Sequence, residues 1–207
     1  MKNRYVDLIY RLKNIKRFNN RAVIAPYNVS QHSFYVAHIC LYIAELENLR
    51  RDKENRYDIL KLLKKAMSHD VAEAACGDIL WPIKNYDEDI HKKINDIEEI
   101  IVRRDLLKYM PVELQDSFAD NILKAKKDME GELVNFSDSL EVLFYLTEER
   151  KLGNMGTWID ETFENVIPIT DVLSKNIPTG RRLMEHVIEE FKQYGKLPKK
   201  NDDSSKD

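Results

Sequence analysis

The sequence predicts an all-α fold, and three observations support that prediction. Of the 207 residues, 43% are apolar and 33% charged, which is typical of a globular protein with a sizeable core. Six glycines and six prolines are too few for a fold built on many tight turns. Apolar residues recur at helical spacing in most segments, and no segment alternates like a strand. We expect a single helical domain over residues 1–195 and a flexible polar tail over 196–207.

The first predicted helix lies at the amino terminus of the chain. Val6, Ile9, Leu12 and Ile15 recur at helical spacing, which indicates an amphipathic helix. The segment that follows loses this pattern, and Pro26 marks it as a loop.

The second predicted helix begins at Ser30, whose hydroxyl suits an N-cap, and carries His32 in its first turn. Apolar residues then recur along one face of this helix. The predicted buried stripe contains Phe34, Ala37, Cys40, Ile43, Ala44 and Leu46.

The third predicted helix lies in YDILKLLKKAMSHDVAEAACG, where Gly77 is the expected stop. Its basic run KLLKK is expected to face solvent, and the WPIKN that follows is expected to form a loop stiffened by Pro82. The side chains expected to face inward are Ile59, Leu62, Leu63, Ala66 and Met67.

Helical patterns resume along the rest of the chain. One of them begins at Pro111, one ends at Gly153, and one is expected to be kinked or broken at Pro168. The segments are EDIHKKINDIEEIIVRRDLLKYM, PVELQDSFADNILKAKK, EGELVNFSDSLEVLFYLTEERKLG, TWIDETFENVIPITDVLSK and GRRLMEHVIEEFKQYG.

Composition and charge exclude several classes of protein. The net charge of -3 and the isoelectric point near 6.0 argue against binding to a nucleic-acid polymer, which usually requires a clearly basic domain. No run of about 18 apolar residues is present, so no membrane span is expected. Two cysteines without a C-x-x-C spacing fit a reducing compartment. We expect a cytoplasmic protein.

An acidic cluster with a histidine follows the third helical pattern, in SHDVAEAACGD at residues 68–78. Residues four apart share a helix face, so a helix that continued through Asp70 would place His69 and Glu73 together. Imidazole nitrogen and carboxylate oxygen are ligands of mid-row divalent metals such as Mn, Co, Fe, Ni and Zn. The alternative is a solvated helix end that binds nothing.

Two further residues are candidates to complete a metal site. Asp138 lies in LVNFSDSLEVLFYL, where an unpaired buried charge would be costly and a cation would compensate it. His32 begins a helix with an apolar inner face. The competing interpretations are a surface role for His32 and an ordinary hydrogen bond for Asp138. His38 and His91 are poorer candidates, because His38 is off the face of His32 and His91 lies among lysines.

These residues resemble the H…HD…D pattern of the HD-domain superfamily of metal phosphohydrolases, through His32, His69 with Asp70, and Asp138. More narrowly, NVSQHSFYVAHICLYIA, HDVAEAACGDILWPIK and FSDSLEVLFYLTEE are similar to blocks of the bacterial 5'-deoxynucleotidases, the YfbR-like family. The blocks occur in the family's order and span roughly residues 12–150. The resemblance implies an HD-domain helical bundle with short additional C-terminal helices.

The resemblance also implies a site. The four residues of the H…HD…D pattern would bind one divalent ion, cobalt, manganese or a similar metal, with magnesium, iron, nickel or zinc as alternatives. Glu73 would handle a proton beside the ion, and Asp78 would align the water or bind the sugar 3'-hydroxyl. Arg17 would contact the substrate phosphate. The family's next position is a tryptophan thought to exclude a ribose 2'-hydroxyl, and here it is Phe18. Lys84 is a weaker phosphate candidate.

The expected activity is removal of the 5'-phosphate from (deoxy)ribonucleoside 5'-monophosphates by attack of a metal-bound water. A bound divalent cation would lower the pKa of its water and offset charge on the phosphoryl oxygens. Two alternatives remain: an HD-type dNTP triphosphohydrolase, and a non-catalytic nucleotide-sensing helical domain with a structural metal. The resemblance also implies a homodimer.

Overall fold

A computed structural model describes residues 4–84 and 86–194, and within these ranges the secondary structure is helical, without a strand. The predicted all-α fold is therefore confirmed, whereas the predicted tail at 196–207 lies outside the described residues. The α-helices are α1 (Arg4–Ile9), α2 (Val29–Asn48), α3 (Ile59–Ser68), α4 (Glu73–Cys76), α5 (Trp81–Lys84), α6 (Glu88–Ile101), α7 (Val112–Leu123), α8 (Asp128–Lys151), α9 (Thr157–Leu173) and α10 (Pro178–Tyr194). Short 3-10 or π turns cover Tyr10–Asn14, Lys53–Asn55, Val102–Leu106, Leu107–Tyr109 and Ser174–Asn176.

The long helix α8 lies at the centre of the larger hydrophobic core. Helices α2, α3, α9 and α10 pack on it, and α2 also packs on α3. Fully buried aliphatic side chains from three of these helices meet there, among them Ile43, Leu62, Leu133, Leu140 and Leu146. Each such side chain contributes roughly 1.5–3 kcal/mol when buried, so this packing fixes α8 against α2 and α3.

A second, smaller core lies beside the turn that follows α3. Leu8 and Leu12 from the amino-terminal segment pack there with Val71 and Ala74. Val29, at the start of α2, belongs to the same cluster. The segment after His69 is therefore anchored on one side by the smaller core, while the rest of α2 and helix α8 belong to the larger one.

Helix α2 starts earlier than predicted, and its buried face differs from the predicted stripe. Asn28, not Ser30, is the N-cap: its side chain accepts the Gln31 backbone N–H, and the Gln31 side chain accepts the Asn28 backbone N–H. This reciprocal pair satisfies two N–H groups that a helix start leaves free. Phe34 is 58% exposed, and Leu46 is only partly buried. The buried face contains Val29, His32, Val36, Ala37, Cys40, Ile43, Ala44 and Glu47.

Helix α3 differs from its prediction in three ways. It ends at Ser68, so it does not run through Asp70, and residues 69–72 form turns before α4. Met67 is exposed. Lys65 is buried, which makes the solvent-exposed interpretation of KLLKK wrong at that residue. The Lys65 ammonium is accommodated because two carbonyls of the α7–α8 connection and the Asp128 side chain at the start of α8 accept its hydrogen bonds.

Two of the predicted breaks are helical. WPIKN, predicted as a loop, contains the one-turn helix α5. Helix α9 continues through Pro168. Within residues 4–84 and 86–194, no helix combines the length and the apolar character that crossing a membrane requires.

Candidate metal centre and active site

A short antiparallel pairing places Arg17 beside the start of α2. The backbone N–H of Arg17 donates to the Tyr27 carbonyl at 2.9 Å, and the N–H of Val29 donates to the Ile15 carbonyl at 3.0 Å. The chain therefore leaves and returns next to the first turn of α2, where His32 lies. Because both ends of the loop are fixed, Arg17 is held by backbone contacts and not only by its side chain.

His32 is fully buried between two carboxylates of helix α8. Its Nδ1 lies 2.6 Å from Oε2 of Glu141, and its Nε2 lies 3.0 Å from Oδ1 of Asp138, one helical turn earlier. The other Glu141 oxygen accepts the hydroxyl of Tyr27. A carboxylate can only accept in these bonds, so Nδ1 of His32 carries a proton, and Nε2 either donates a second proton to Asp138 or, in the neutral ring, presents a lone pair.

His69 presents a lone pair in the same direction. It is the C-cap of α3, and its Nδ1 donates to the carbonyl of Ala66 at 2.7 Å. Its Nε2 then faces Nε2 of His32 at 3.2 Å. Two unprotonated nitrogens cannot bond to each other, so a cation or a proton must lie between them. The donor chemistry therefore fits a metal ion held by imidazole and carboxylate groups.

Two aspartates complete the cluster around these nitrogens. Single ligand atoms from His32, His69 and Asp70 all lie within 4.8 Å of one another. Oδ1 of Asp138 approaches the two Nε2 atoms at 3.0 and 4.0 Å. The structure thus brings together the four side chains predicted to be metal ligands; that they bind a metal stays a prediction.

The charges of this cluster are mutually stabilised. Burial opposes ionisation of Asp70, but His69 and His32 outweigh it and hold its pKa well below the usual range. Burial likewise opposes ionisation of Asp138, and Lys126 and His32 outweigh it, so its pKa is also low. Burial and Arg17 lower the pKa of His32, yet Glu141 and Asp138 outweigh them and the net pKa is raised. In the absence of an ion, a proton suits the place between the imidazoles.

Glu73 and Asp78, the predicted acid–base carboxylates, lie in a different electrostatic state. Burial and then the neighbouring Asp70 raise the pKa of Glu73 to about 10. Its Oε2 is buried without a hydrogen-bond partner. Burial also raises the pKa of Asp78, which follows Gly77 at the end of α4, where the positive φ of 79° favours glycine. Glu73, which favours the protonated form, and Asp78, whose pKa is raised, thus lie beside two carboxyl groups that stay ionised.

Arg17, Phe18 and Lys84, which are predicted to bind substrate, each contact a different residue. Arg17 Nη1 donates to Oδ2 of Asp70 at 3.2 Å. The ring of Phe18 stacks on Tyr145, with centroids 5.1 Å apart. Lys84 Nζ lies 2.6 Å from Oε1 of Glu98 and is already paired.

The sequence analysis missed three residues that contact this cluster. Glu141 carried the same signal as Asp138, an acidic residue in an apolar helical run, and could have been found as a partner of a histidine ligand. Tyr27 lies in a loop and gave no signal. Lys126, whose Nζ bonds to Oδ2 of Asp138, lies in the lysine-rich KAKK, which looks like an ordinary surface segment.

The helical fold is that of HD-domain phosphohydrolases of known structure. The structure superposes on an HD-domain phosphohydrolase from Listeria innocua with a TM-score of 0.78, covering 90% of this chain and 87% of that chain at 20% identity. It also superposes on a cyanophage S-2L HD phosphohydrolase described as bound to dA and one catalytic Zn²⁺ ion, with a TM-score of 0.61 at 17% identity, over 90% of this chain and 94% of that chain. At these identities the likeness concerns the fold.

The family is shown by sequence. The model of the family "5'-deoxynucleotidase YfbR-like" matches residues 4–178. A 5'-deoxynucleotidase YfbR from Escherichia coli O127:H6 is 34% identical over 145 residues, which cover 70% of this chain and 71% of that protein. The chain belongs to the 5'-deoxynucleotidase YfbR-like family, so the predicted family and the predicted class of enzyme, a hydrolase, are confirmed.

Proposed function

We propose that this enzyme removes the 5'-phosphate from (deoxy)ribonucleoside 5'-monophosphates, with one divalent ion held by His32, His69, Asp70 and Asp138. One observation carries the proposal: Nε2 of His32 and Nε2 of His69 face each other at 3.2 Å while both Nδ1 atoms already donate elsewhere. A purely structural helical core has no need of two opposed lone pairs flanked by carboxylates. Such a site is suited to a cation.

The donor set favours some metals over others. Two imidazole nitrogens with two carboxylates suit Mn, Fe, Co, Ni or Zn, whereas Mg and Ca prefer sites made of oxygen alone. We therefore propose cobalt, manganese or a similar mid-row ion as the resident metal. A bound ion of this kind supplies activation of water near neutral pH and offsets charge on a phosphoryl group.

The protein side chains have separable parts in the proposed reaction. Arg17 binds the phosphate by a charge-assisted contact while its backbone is fixed against Tyr27. In the metal-free protein the raised pKa of Glu73 favours its protonated form, and its unpartnered Oε2 is free to hydrogen-bond a reacting oxygen or to exchange a proton with it. Asp78 either aligns the attacking water or binds the sugar 3'-hydroxyl.

Phe18 is proposed to define the sugar side of the site. Its ring is held by stacking on Tyr145 and by a tilted contact with Trp158, with centroids 5.6 Å apart. A phenyl ring is smaller than an indole, so it leaves more room beside the sugar. We expect ribonucleotides to be hydrolysed as well as deoxyribonucleotides.

The test is release of phosphate by metal-stripped protein reloaded with Co²⁺, Mn²⁺ or Zn²⁺. Deoxynucleoside and ribonucleoside 5'-monophosphates should both yield inorganic phosphate. The dNTPs serve as the comparison, because release of triphosphate in place of phosphate would reveal the alternative triphosphohydrolase. Absence of any turnover with all three metals would contradict the proposal and favour a nucleotide-sensing domain.

A matched variant separates binding from turnover. Glu73→Ala should keep its metal, since Glu73 is not among the four proposed ligands, yet lose most turnover. A Glu73→Ala enzyme that hydrolyses at the parent rate would show that the role given to Glu73 is wrong. The predictions of a homodimer, a single domain and a cytoplasmic location stay as expectations; sedimentation of the purified protein tests the first.

A further inference from the structure

Resting on the proposed phosphomonoester hydrolysis, we infer that Lys126 is a second phosphate-binding cation, paired with Asp138 as Arg17 is paired with Asp70. Its ammonium bonds to Oδ2 of Asp138, while Oδ1 of the same carboxylate faces Nε2 of His32 at 3.0 Å. The Asp138 carboxylate thus lies between the Lys126 ammonium and the place where the two imidazole Nε2 atoms face each other. Neither the spacing of the ligands nor the local sequence singled this lysine out.

The backbone around Lys126 is fixed from two sides. The buried ammonium of Lys65 donates to the carbonyl of Lys124 at 3.0 Å and to that of Lys127 at 2.6 Å. Gly131 lies so close that a Cβ there would come within 2.6 Å of the Lys126 carbonyl carbon. The turn therefore packs tightly against both α3 and the first turn of α8, so Lys126 is presented in a defined place.

Lys126 lies on the open side of the cluster. Its side chain is 42% exposed, compared with 17% for Asp138 and 0% for His32. It interacts electrostatically with Asp70 and Arg17 as well as with Asp138. The Lys126 ammonium therefore contacts the cluster while its side chain remains accessible to solvent.

The charge balance around Lys126 and Arg17 favours phosphate binding by both side chains. Each is neutralised here by an aspartate that is also a proposed metal ligand. A divalent ion would draw on the charge of those same carboxylates, so the ammonium and the guanidinium would be left partly uncompensated. Phosphate oxygens restore that compensation, since they accept charge-assisted hydrogen bonds from both kinds of side chain. A terminal phosphate monoester, with its free oxygens, fits two cations that approach from different carboxylates.

A purely structural role for Lys126 predicts a different outcome. If the lysine served only to orient Asp138, its loss would weaken metal binding and leave phosphate recognition by the metal-loaded enzyme unchanged. A phosphate-binding role predicts the reverse. Phosphate affinity at full metal occupancy therefore separates the two.

The experiment uses the metal-loaded full chain and inorganic phosphate as the probe, with binding measured by calorimetry and as competitive inhibition. Lys126→Met should weaken phosphate binding about 10- to 100-fold, the range expected when a charged hydrogen bond is lost, at unchanged metal occupancy. KM for the nucleoside monophosphate should rise in step, whereas inhibition by the unphosphorylated nucleoside should not change. Lys126→Arg should recover most of the phosphate affinity.

Lys124→Met is the matched control, because Lys124 lies on the same turn with its exposed ammonium paired to Asp120. It should bind phosphate like the parent. Equal phosphate binding by Lys126→Met and the parent at equal metal occupancy would overturn the inference, and so would a loss of phosphate binding shared by Lys124→Met. If no nucleoside monophosphate is hydrolysed but phosphate binding still depends on Lys126, the proposed function fails and the phosphate site stands.

Discussion

Helix α8 buries carboxylates in its middle and near its carboxyl end, and these two regions are satisfied to very different degrees. Near its carboxyl end, Glu149 is fully buried and accepts the backbone N–H groups of Ile24 and Ala25 at 2.8 and 2.7 Å. It also accepts the side-chain amide of Asn154 at 2.6 Å. Every one of these bonds ties a loop to the helix.

The middle of α8 is arranged in the opposite way. Asp138 and Glu141 both face the imidazole of His32, whose Nε2 has no permanent donor directed at it from the described residues. Glu73 nearby keeps a buried oxygen without a partner. A saturated buried charge holds the fold together, whereas an unsaturated cluster retains capacity for a ligand. The comparison teaches that burial of a carboxylate alone does not distinguish the two roles.

Asp138→Asn should produce the largest effect and sharpen this comparison. Loss of a residue that only supports a ligand typically costs about 10- to 100-fold in metal affinity, so loss of a ligand charge should cost more than about 100-fold. The melting temperature of the metal-free protein should fall only modestly, because the amide keeps the shape of the carboxylate but no longer compensates the charges of Lys126 and His32. Metal titration and thermal melting measure both. Retained metal affinity would remove Asp138 from the ligand set.

Glu149→Gln should mainly destabilise the fold and leave metal affinity unchanged. The amide cannot accept both backbone N–H groups, so we expect about 2–3 kcal/mol of destabilisation from unsatisfied buried donors. Metal affinity and the turnover of the folded fraction should match the parent. Denaturant unfolding together with activity per folded molecule checks this prediction, and an unchanged free energy of unfolding would contradict it.

The loss of metal affinity in Glu141→Gln should be smaller than in Asp138→Asn and larger than in Glu149→Gln. The amide can still accept from Nδ1 of His32 but removes the charge that supports the ring, so metal affinity should drop about 10- to 100-fold. Removal of Tyr27 as its second donor, in Tyr27→Phe, should have a smaller effect in the same direction. The measurement is competition for metal against a chelator, and a gain in affinity for Glu141→Gln would contradict this role.

The pH dependence of the metal-free protein should show the smallest effect. The folded pKa of Glu73 is raised to about 10 from its ordinary 4.5, so its contribution is fully present below pH 4.5 and is lost as pH rises toward 10. Glu73→Gln does not titrate, so it should gain about 1 kcal/mol relative to the parent between pH 5 and pH 6. Denaturant unfolding at both pH values measures the difference, and parallel curves for the two proteins would contradict the raised pKa.

Much of the candidate site could be predicted because its signals are local. His69, Asp70, Glu73 and Asp78 lie within ten positions, and Asp138 is an acid within an apolar helical run. These residues could be distinguished from ordinary surface residues without knowledge of the fold. Phe34 and Met67 were predicted to be buried and are exposed, because helical spacing fixes only that a face exists and not its rotation against the neighbouring helices.

The sequence by itself determined the helical class, the family and the residue types of the candidate metal centre, since periodicity and motif spacing are properties of short segments. Only the tertiary structure decided which groups Lys65, Lys126 and Glu141 contact. Lys65 and Lys126 both lie in basic runs that look like solvated surface, yet one is buried under three oxygens and the other pairs with Asp138. The physical reason is that the cost of a charge depends on which oxygens surround it, and those oxygens come from segments distant along the chain.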